Sequence, residues 1–179
     1  MRYGKDDVVL MEFHIDVNGG SNLILEDIMF DLYSDTPNCL PNNIEIAEDT
    51  SMSGDGSGVL FNIQLEDVTN GGSYNLGTAS TAGGDSCWIE VGDTGLGINL
   101  VGVGENHIFQ LVADVADEND FTSAEYAALI AAFPEPEFYV ELRPSSTDVR
   151  IEENNNGQVV TDITPSFIVS TAIELQDST

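Results

Sequence analysis

Positive charge is what this sequence lacks most: Lys and Arg together number 4 against 32 Asp and Glu, for a formal net charge of −28. Nucleic acid is thereby excluded as an expected partner, because phosphate contacts need clustered Lys and Arg. An anionic membrane surface is disfavoured on the same ground. Repulsion on this scale opposes a compact fold in dilute buffer. It is screened in brine, where the Debye length falls to about 3 Å at 1 M salt. A nearly lysine-free, carboxylate-rich chain therefore points to a halophilic source, with an ordinary acidic secreted protein as the alternative.

Cysteine is equally scarce. Cys39 and Cys87 are the only two. They form one disulfide if the chain is secreted, or remain two buried thiols; both readings fit. Their spacing matches no metal-ligand pattern, and only His14 and His107 could assist, so zinc is not expected. No apolar run approaches the roughly 18–20 residues of a membrane span, so no direct membrane insertion by this segment is expected. A basic leader followed by an apolar stretch is also missing, and a strand pattern opens almost at once, at Asp7. We expect a chain trimmed at its start. No Asn-x-Ser/Thr site occurs; Asn119 comes nearest but has Phe121 where a hydroxyl residue is needed.

Hydrophobic residues make up 41% of the 179, enough for one domain with a substantial core. Their period is mostly two, the strand signal. Met11, Phe13, Ile15 and Val17 alternate with polar residues, and Asn18-Gly19-Gly20 follows. Ile28, Phe30 and Leu32 then alternate with Asp27, Met29 and Asp31. These two runs are expected to be neighbouring antiparallel strands. Residues 34–57 read as irregular. A strand follows with Val59, Phe61, Ile63 and Leu65 on one face, and residues 71–86 read as a long loop. Further strands are expected at Cys87–Val91, Ile98–Val103, Ile108–Val115, Phe138–Leu142, Val149–Glu152, Gln158–Ile163 and Phe167–Leu175, with Asn154-Asn155-Asn156-Gly157 as a hairpin turn.

One helix is expected, over about 123–133. Thr122-Ser123-Ala124-Glu125 is a capping box, and Tyr126, Leu129, Ile130 and Phe133 form one apolar stripe before Pro134 and Pro136. The whole predicts an all-β protein: an antiparallel β-sandwich or barrel of about nine or ten strands with one short helix, as a single domain over 1–179.

Catalytic machinery is not visible, and no enzyme is expected. His14 sits on the polar side of its strand and His107 just precedes one; both read as surface or edge residues. There is no nucleophile elbow, phosphate loop or zinc-protease motif, and the pairs Gly95/Gly97 and Gly102/Gly104 are not followed by a helix. With 32 acids, carboxylate pairs arise by chance, and the aromatic platforms of sugar-cleaving enzymes are thin around the single Trp88. No cofactor is expected. Asp114, Asp117, Glu118 and Asp120 are the one calcium or bridging-cation candidate, set against a solvated acidic loop as the bland reading. Glu48, Asp49 and Asp55 form a weaker cluster. An exposed row of aromatics, drawn from Tyr3, Tyr33, Tyr74, Trp88 and Tyr139, would mark a binding module.

Several stretches carry a family likeness. Asp7 to Thr36, with its Gly/Ser turn between strands, resembles the opening of the outer domain of archaellins, the archaeal flagellins. Gly104-Glu105-Asn106-His107-Ile108-Phe109-Gln110-Leu111-Val112 resembles the family's entry into a core strand. Glu137-Phe138-Tyr139-Val140-Glu141-Leu142-Arg143-Pro144, then Val160 to Val169 through Thr164-Pro165-Ser166, and the closing Ile173-Glu174-Leu175-Gln176 are similar to archaellin C-termini. The resemblance spans about two-thirds of the chain. It implies the outer globular β-domain of an extracellular filament that serves cell motility, without the apolar N-terminal helix that builds the family's filament core. Its partners would then be neighbouring copies in the filament. A capsid, tail or spike domain of a halophile virus, and a surface-layer or carbohydrate-binding module, are the alternatives.

Overall fold

The computed structural model describes residues 4–17, 22–34, 44–47, 58–79, 88–100, 106–132, 137–142, 148–161, 163, 168–171 and 173–174. Among these it places thirteen strands and one α-helix, in two sheets. The expected all-β fold is what is seen.

The first sheet contains β1 (Val8–Asp16), β9 (Asn106–Val115), β4 (Gly58–Asp67), β3 (Glu45–Ala47) and β5 (Gly72–Asn75). β1 and β4 flank β9 antiparallel; β3 runs parallel along one end of β4, and β5 antiparallel along the other. The second sheet is organised on the twelve-residue β2 (Leu23–Ser34). On one side of β2 lie β10 (Glu137–Leu142) and β11 (Val149–Glu153); on the other lie β7 (Trp88–Asp93) and β8 (Ile98–Leu100). β6 (Gly77–Ala79) extends the β7 side, and β12 (Ile168–Val169) and β13 (Ile173–Glu174) extend the β10 side.

The alternation in β1 and β2 does mark strands, but the two are not neighbours in one sheet. β1 pairs with β9, and β2 with β7, β8, β10 and β11. A glycine turn between two alternating runs fits an in-plane hairpin or a crossing between sheets equally well. The crossing is realised because the apolar faces of β1 and β2 pack on each other. Phe13 of β1 meets Phe30 of β2 at a centroid distance of 5.9 Å and stacks on Phe109 of β9 at 5.5 Å. All three rings are buried, each worth about 1.5–3 kcal/mol over an exposed ring. Around them Leu25, Ile28, Leu32, Leu65, Ile89, Leu100 and Leu111 are fully buried, closing one core between the sheets.

Bulges reset the expected alternation. In β1 the register shifts between Val9 and Met11, so that Leu10 and Met11 are both buried. In β4 it shifts between Phe61 and Gln64, and Asn62 takes φ +48°. Val59, Leu60, Ile63 and Leu65 therefore face the core, and Phe61 is only partly buried. Residues 72–79, expected as loop, hold the short strands β5 and β6. Gly71, at φ +78°, closes the β4–β5 hairpin with the buried Asp67, whose carboxylate accepts from Asn70 N at 2.9 Å and Asn70 Nδ2 at 2.8 Å.

Between β7 and β8 the chain does not double back. Gly95 and Gly97 adopt φ of +73° and +63°, Gly95 N donates to Asp27 Oδ1 at 3.0 Å and Leu96 N to Glu26 O at 2.7 Å. Both strands thus run along the same edge of β2. The expected Phe167–Leu175 strand is split: Ser170 N donates to Val140 O at 2.9 Å while its hydroxyl accepts from Val140 N at 3.0 Å, between β12 and β13. In place of the Gln158–Ile163 strand, Val159 forms an isolated bridge to Glu152.

The helix, α1, spans Ser123–Ala132, and its capping box is formed: Glu125 N donates to Thr122 Oγ1 at 3.3 Å, and Thr122 N to Glu125 Oε2 at 2.8 Å. Leu129 is fully buried and Tyr126 packs against the core. The side chains of Ile130 and Phe133, also assigned to that stripe, lie outside the described residues.

Candidate functional site

Residues of β2, β7 and β10 alternate between the core and the outer face of the second sheet. Ile89, Leu32 and Val140 point inward and are buried. Beside them Trp88, Tyr33 and Tyr139 point outward, and the register puts those three side by side: Trp88 pairs with Tyr33, and Tyr33 with Tyr139. A continuous aromatic row therefore crosses three strands. The Tyr33 and Tyr139 rings are stacked, with centroids 5.4 Å apart and planes 18° from parallel. Tyr139 Oη donates to Glu137 Oε2 at 3.2 Å, which fixes the outer ring. Trp88 is 36% exposed.

Two positions along the same strands lies a second row, Glu90–Asp31–Glu141. Like charges directly opposite one another across strands are destabilising. Glu90 and Glu141 are half-buried, whereas Asp31 between them is 6% exposed. A third row begins with Gly92 opposite Met29. A Cβ at Gly92 would collide with the Ile28 carbonyl oxygen and the Met29 sulfur, and would lie 2.8 Å from Met29 Cα. Only glycine lets Met29 lie down over β7 here.

The outer face of the first sheet has a different character. Glu12 pairs with Gln110, which pairs with Glu66. Gln110 Nε2 donates to Glu12 Oε2 at 2.7 Å, and His14 Nε2 lies 3.6 Å from Glu12 Oε1. The Gln110 bond and His14 hold the Glu12 carboxyl below its usual range. His14 is also 3.1 Å from Asn106 Nδ2. It is exposed, as expected from its place in the alternation.

His107 is not a surface residue. The strand starts one residue before it, at Asn106, and His107 shares the inward parity of Phe109 and Leu111, leaving it 1% exposed.

The acidic segment after β9 is occupied by local structure. Asp114 Oδ1 accepts from Asp7 N at 3.0 Å, and its Oδ2 from Asn62 Nδ2 at 2.8 Å. Asp117 caps a short 3-10 turn, Glu118–Asp120, accepting from Asn119 N at 3.0 Å, while Asp120 Oδ2 accepts from Asp117 N at 2.7 Å. Asp114, Asp117 and Asp120 thus serve as anchors of two different backbone features. Among the described residues no group of three or more His, Cys, Asp or Glu is arranged to hold a metal ion. Cys39, Cys87, Glu48, Asp49 and Asp55 lie outside the described residues, as does Tyr3. Tyr74, on β5, packs against the core and is not part of the aromatic row.

Compared with protein-family models, curated proteins and solved structures, the chain matches none.

Proposed function

We propose that this chain is a non-catalytic structural domain: the outer β-domain of an extracellular, archaellum-type filament built for high salt. The observation that carries the reading is the contrast between a closed apolar core and an exterior of carboxylates with few counter-charges. The core runs through both sheets around Phe13, Phe30 and Phe109. Outside it, Arg150 pairs with Asp27 and Glu152, and the His14 ring lies 3.6 Å from Glu12 Oε1. With 4 Lys and Arg in the whole chain, most of the 32 acids have no cation to pair with. Such a surface binds water and counter-ions rather than neighbouring carboxylates, which keeps a filament exterior soluble in brine. The sandwich and the stretches similar to archaellin C-termini agree with this role. In the assembly, copies of the chain are neighbours, held together under conditions that screen their mutual repulsion.

Immunogold labelling of the producing cells with an antibody to this chain tests the proposal. Gold along surface filaments is the expected result. Label confined to the cytoplasm, or to particles released from the cells, overturns it and would move the viral alternative forward.

A further inference from the structure

We infer that the outer face of the second sheet is a docking site for a basic segment of a different protein, whose Arg or Lys side chains stack on Trp88 and pair with Glu90. Three observations lead there. First, Trp88, Tyr33 and Tyr139 form one unbroken row, and Trp88 at its end is exposed while the two tyrosines behind it are held by their own stacking and by Glu137. Indole is the ring a cation binds best, at about 0.5–1 kcal/mol where exposed and about 2 where desolvated. Second, Glu90 lies on the same strand and face as Trp88, two residues on, next to Asp31 and Glu141. A guanidinium lying on the indole can reach a carboxylate at that spacing and bond it with its fork of N–H donors. Third, the two outer faces differ. On the first sheet the carboxylate of Glu12 is already satisfied by an amide, Gln110, and no comparable aromatic row is present among the described residues.

Charge decides the occupant. A second copy of the chain carries the same net charge of −28 and would bring carboxylates against Glu90, so this face does not suit self-contact. A neutral glycan would stack on the rings and donate hydroxyls to the acids, but it brings no charge to offset them. A basic polypeptide uses the rings and offsets the acids. This contact is additional to the neighbour contacts of the filament proposal, and the two stand or fall separately.

Trp88 is the sole tryptophan, so its fluorescence reports this face directly. The experiment titrates the full chain with the synthetic peptide acetyl-Gly-Arg-Gly-Arg-Gly-amide, with the Gln-for-Arg peptide and with maltohexaose. Titrations run in about 1 M NaCl, where long-range attraction to the acidic surface is screened to about 3 Å. A saturable change in Trp88 emission with the arginine peptide alone is expected. Glu90→Gln should weaken it at least about tenfold, the scale of a lost charge-assisted pair. Glu12→Gln removes the same charge from the opposite face and should leave it within about twofold. Circular dichroism of both variants confirms that they fold alike. A linear, unsaturable response, equal losses in the two variants, or a response to maltohexaose in place of the arginine peptide overturns the inference; the last outcome would assign the face to a glycan.

Discussion

Asn62 and Asp114 are joined across β4 and β9 by a 2.8 Å hydrogen bond, Nδ2 to Oδ2, at the point where the ladder between the two strands is interrupted. The same carboxylate accepts from Asp7 N at 3.0 Å. Asp7 and Asn62 are the two described non-glycine residues with positive φ, at +51° and +48°. One side chain therefore anchors both left-handed positions, one at the entry to β1 and one in the β4 bulge. Asn tolerates that conformation better than most residues, but at a cost that glycine avoids.

Asp114→Ala should accordingly destabilise the fold by about 1–3 kcal/mol, the range for a lost hydrogen bond to a charged group. Asn62→Gly should cost less, because the lost bond is offset by relief at φ +48°. Urea unfolding of the two variants gives the comparison; an Asp114→Ala variant as stable as the parent would remove the anchoring role. In the same view Asp114, Asp117 and Asp120 act as backbone anchors. Calcium added at constant ionic strength should leave the midpoint of thermal unfolding unchanged, and a saturable rise would restore them as an ion site.

Gly92 and Gly77 face each other on β7 and β6, and they predict opposite outcomes. A methyl at Gly92 would run into the Ile28 carbonyl and Met29, two of its contacts being backbone atoms of β2 that cannot move aside cheaply. At Gly77 the same methyl would sit 3.7 Å from Gly92 O, an ordinary contact. Gly92→Ala is expected to cost about 1–3 kcal/mol, the usual overpacking range. Gly77→Ala should be neutral or slightly stabilising, since it restricts the unfolded chain. Equal denaturation midpoints for the two variants would contradict the packing described.

The capping box of α1 predicts a pH dependence. Accepting from Thr122 pulls the Glu125 carboxyl below its usual value of 4.5. A carboxyl with a lowered folded-state pKa adds stability above its unfolded pKa and loses it as pH falls through the folded value. The contribution is thus present at neutral pH and disappears on the acid side of 4.5. Glu125→Gln keeps an oxygen that accepts from Thr122 N but cannot titrate, so its stability curve should fall less steeply there than the parent's. Thr122→Ala should cost about 0.5–2 kcal/mol at any pH, as for other lost N-caps. Chemical unfolding at several pH values from neutral downward measures both. A Glu125→Gln curve parallel to the parent's would mean that the carboxylate contributes nothing to the cap.

How far the fold could be read in advance depended on the range of the interactions involved. The α1 cap was legible because Thr122 and Glu125 satisfy each other's amides three residues apart. The inward face of β2 was legible because the apolar alternation of Ile28, Phe30 and Leu32 records which side is buried. Pairing was not. Val8 to Asp16 and Leu23 to Ser34 carry the same signal whether they share a sheet or stack as layers, and only the packing of Phe13 on Phe30 separates the two. The β4 bulge was hidden because Leu60, two residues before Asn62, reads with it as an outward residue until Asn62 adopts its positive φ. β5 and β6 escaped because their residues are small, polar and few. Tyr33, Trp88 and Tyr139 were each visible as candidates, but their union is a matter of strand register, to which separations of 55 and 51 residues along the chain give no clue.

Salt gives the broadest prediction. With 32 acids against 4 bases, repulsion within the folded chain is larger than repulsion in the expanded unfolded chain, so screening favours the folded state. Two mechanisms would raise stability in NaCl, and their concentration dependence separates them. Screening works early, because the Debye length has already fallen from about 10 Å at 0.1 M to about 3 Å at 1 M. Strengthened burial of apolar surface through salt exclusion continues to grow beyond that. If charge repulsion is the main burden on this fold, most of the rise in unfolding temperature should occur below about 1 M NaCl, with a shallow slope thereafter. The rise should also shrink as the pH is lowered and carboxylates are protonated, because there is then less repulsion to screen. A rise that is linear in salt and indifferent to pH would assign the stabilisation to apolar burial and remove the physical basis for reading the acidic surface as an adaptation to brine.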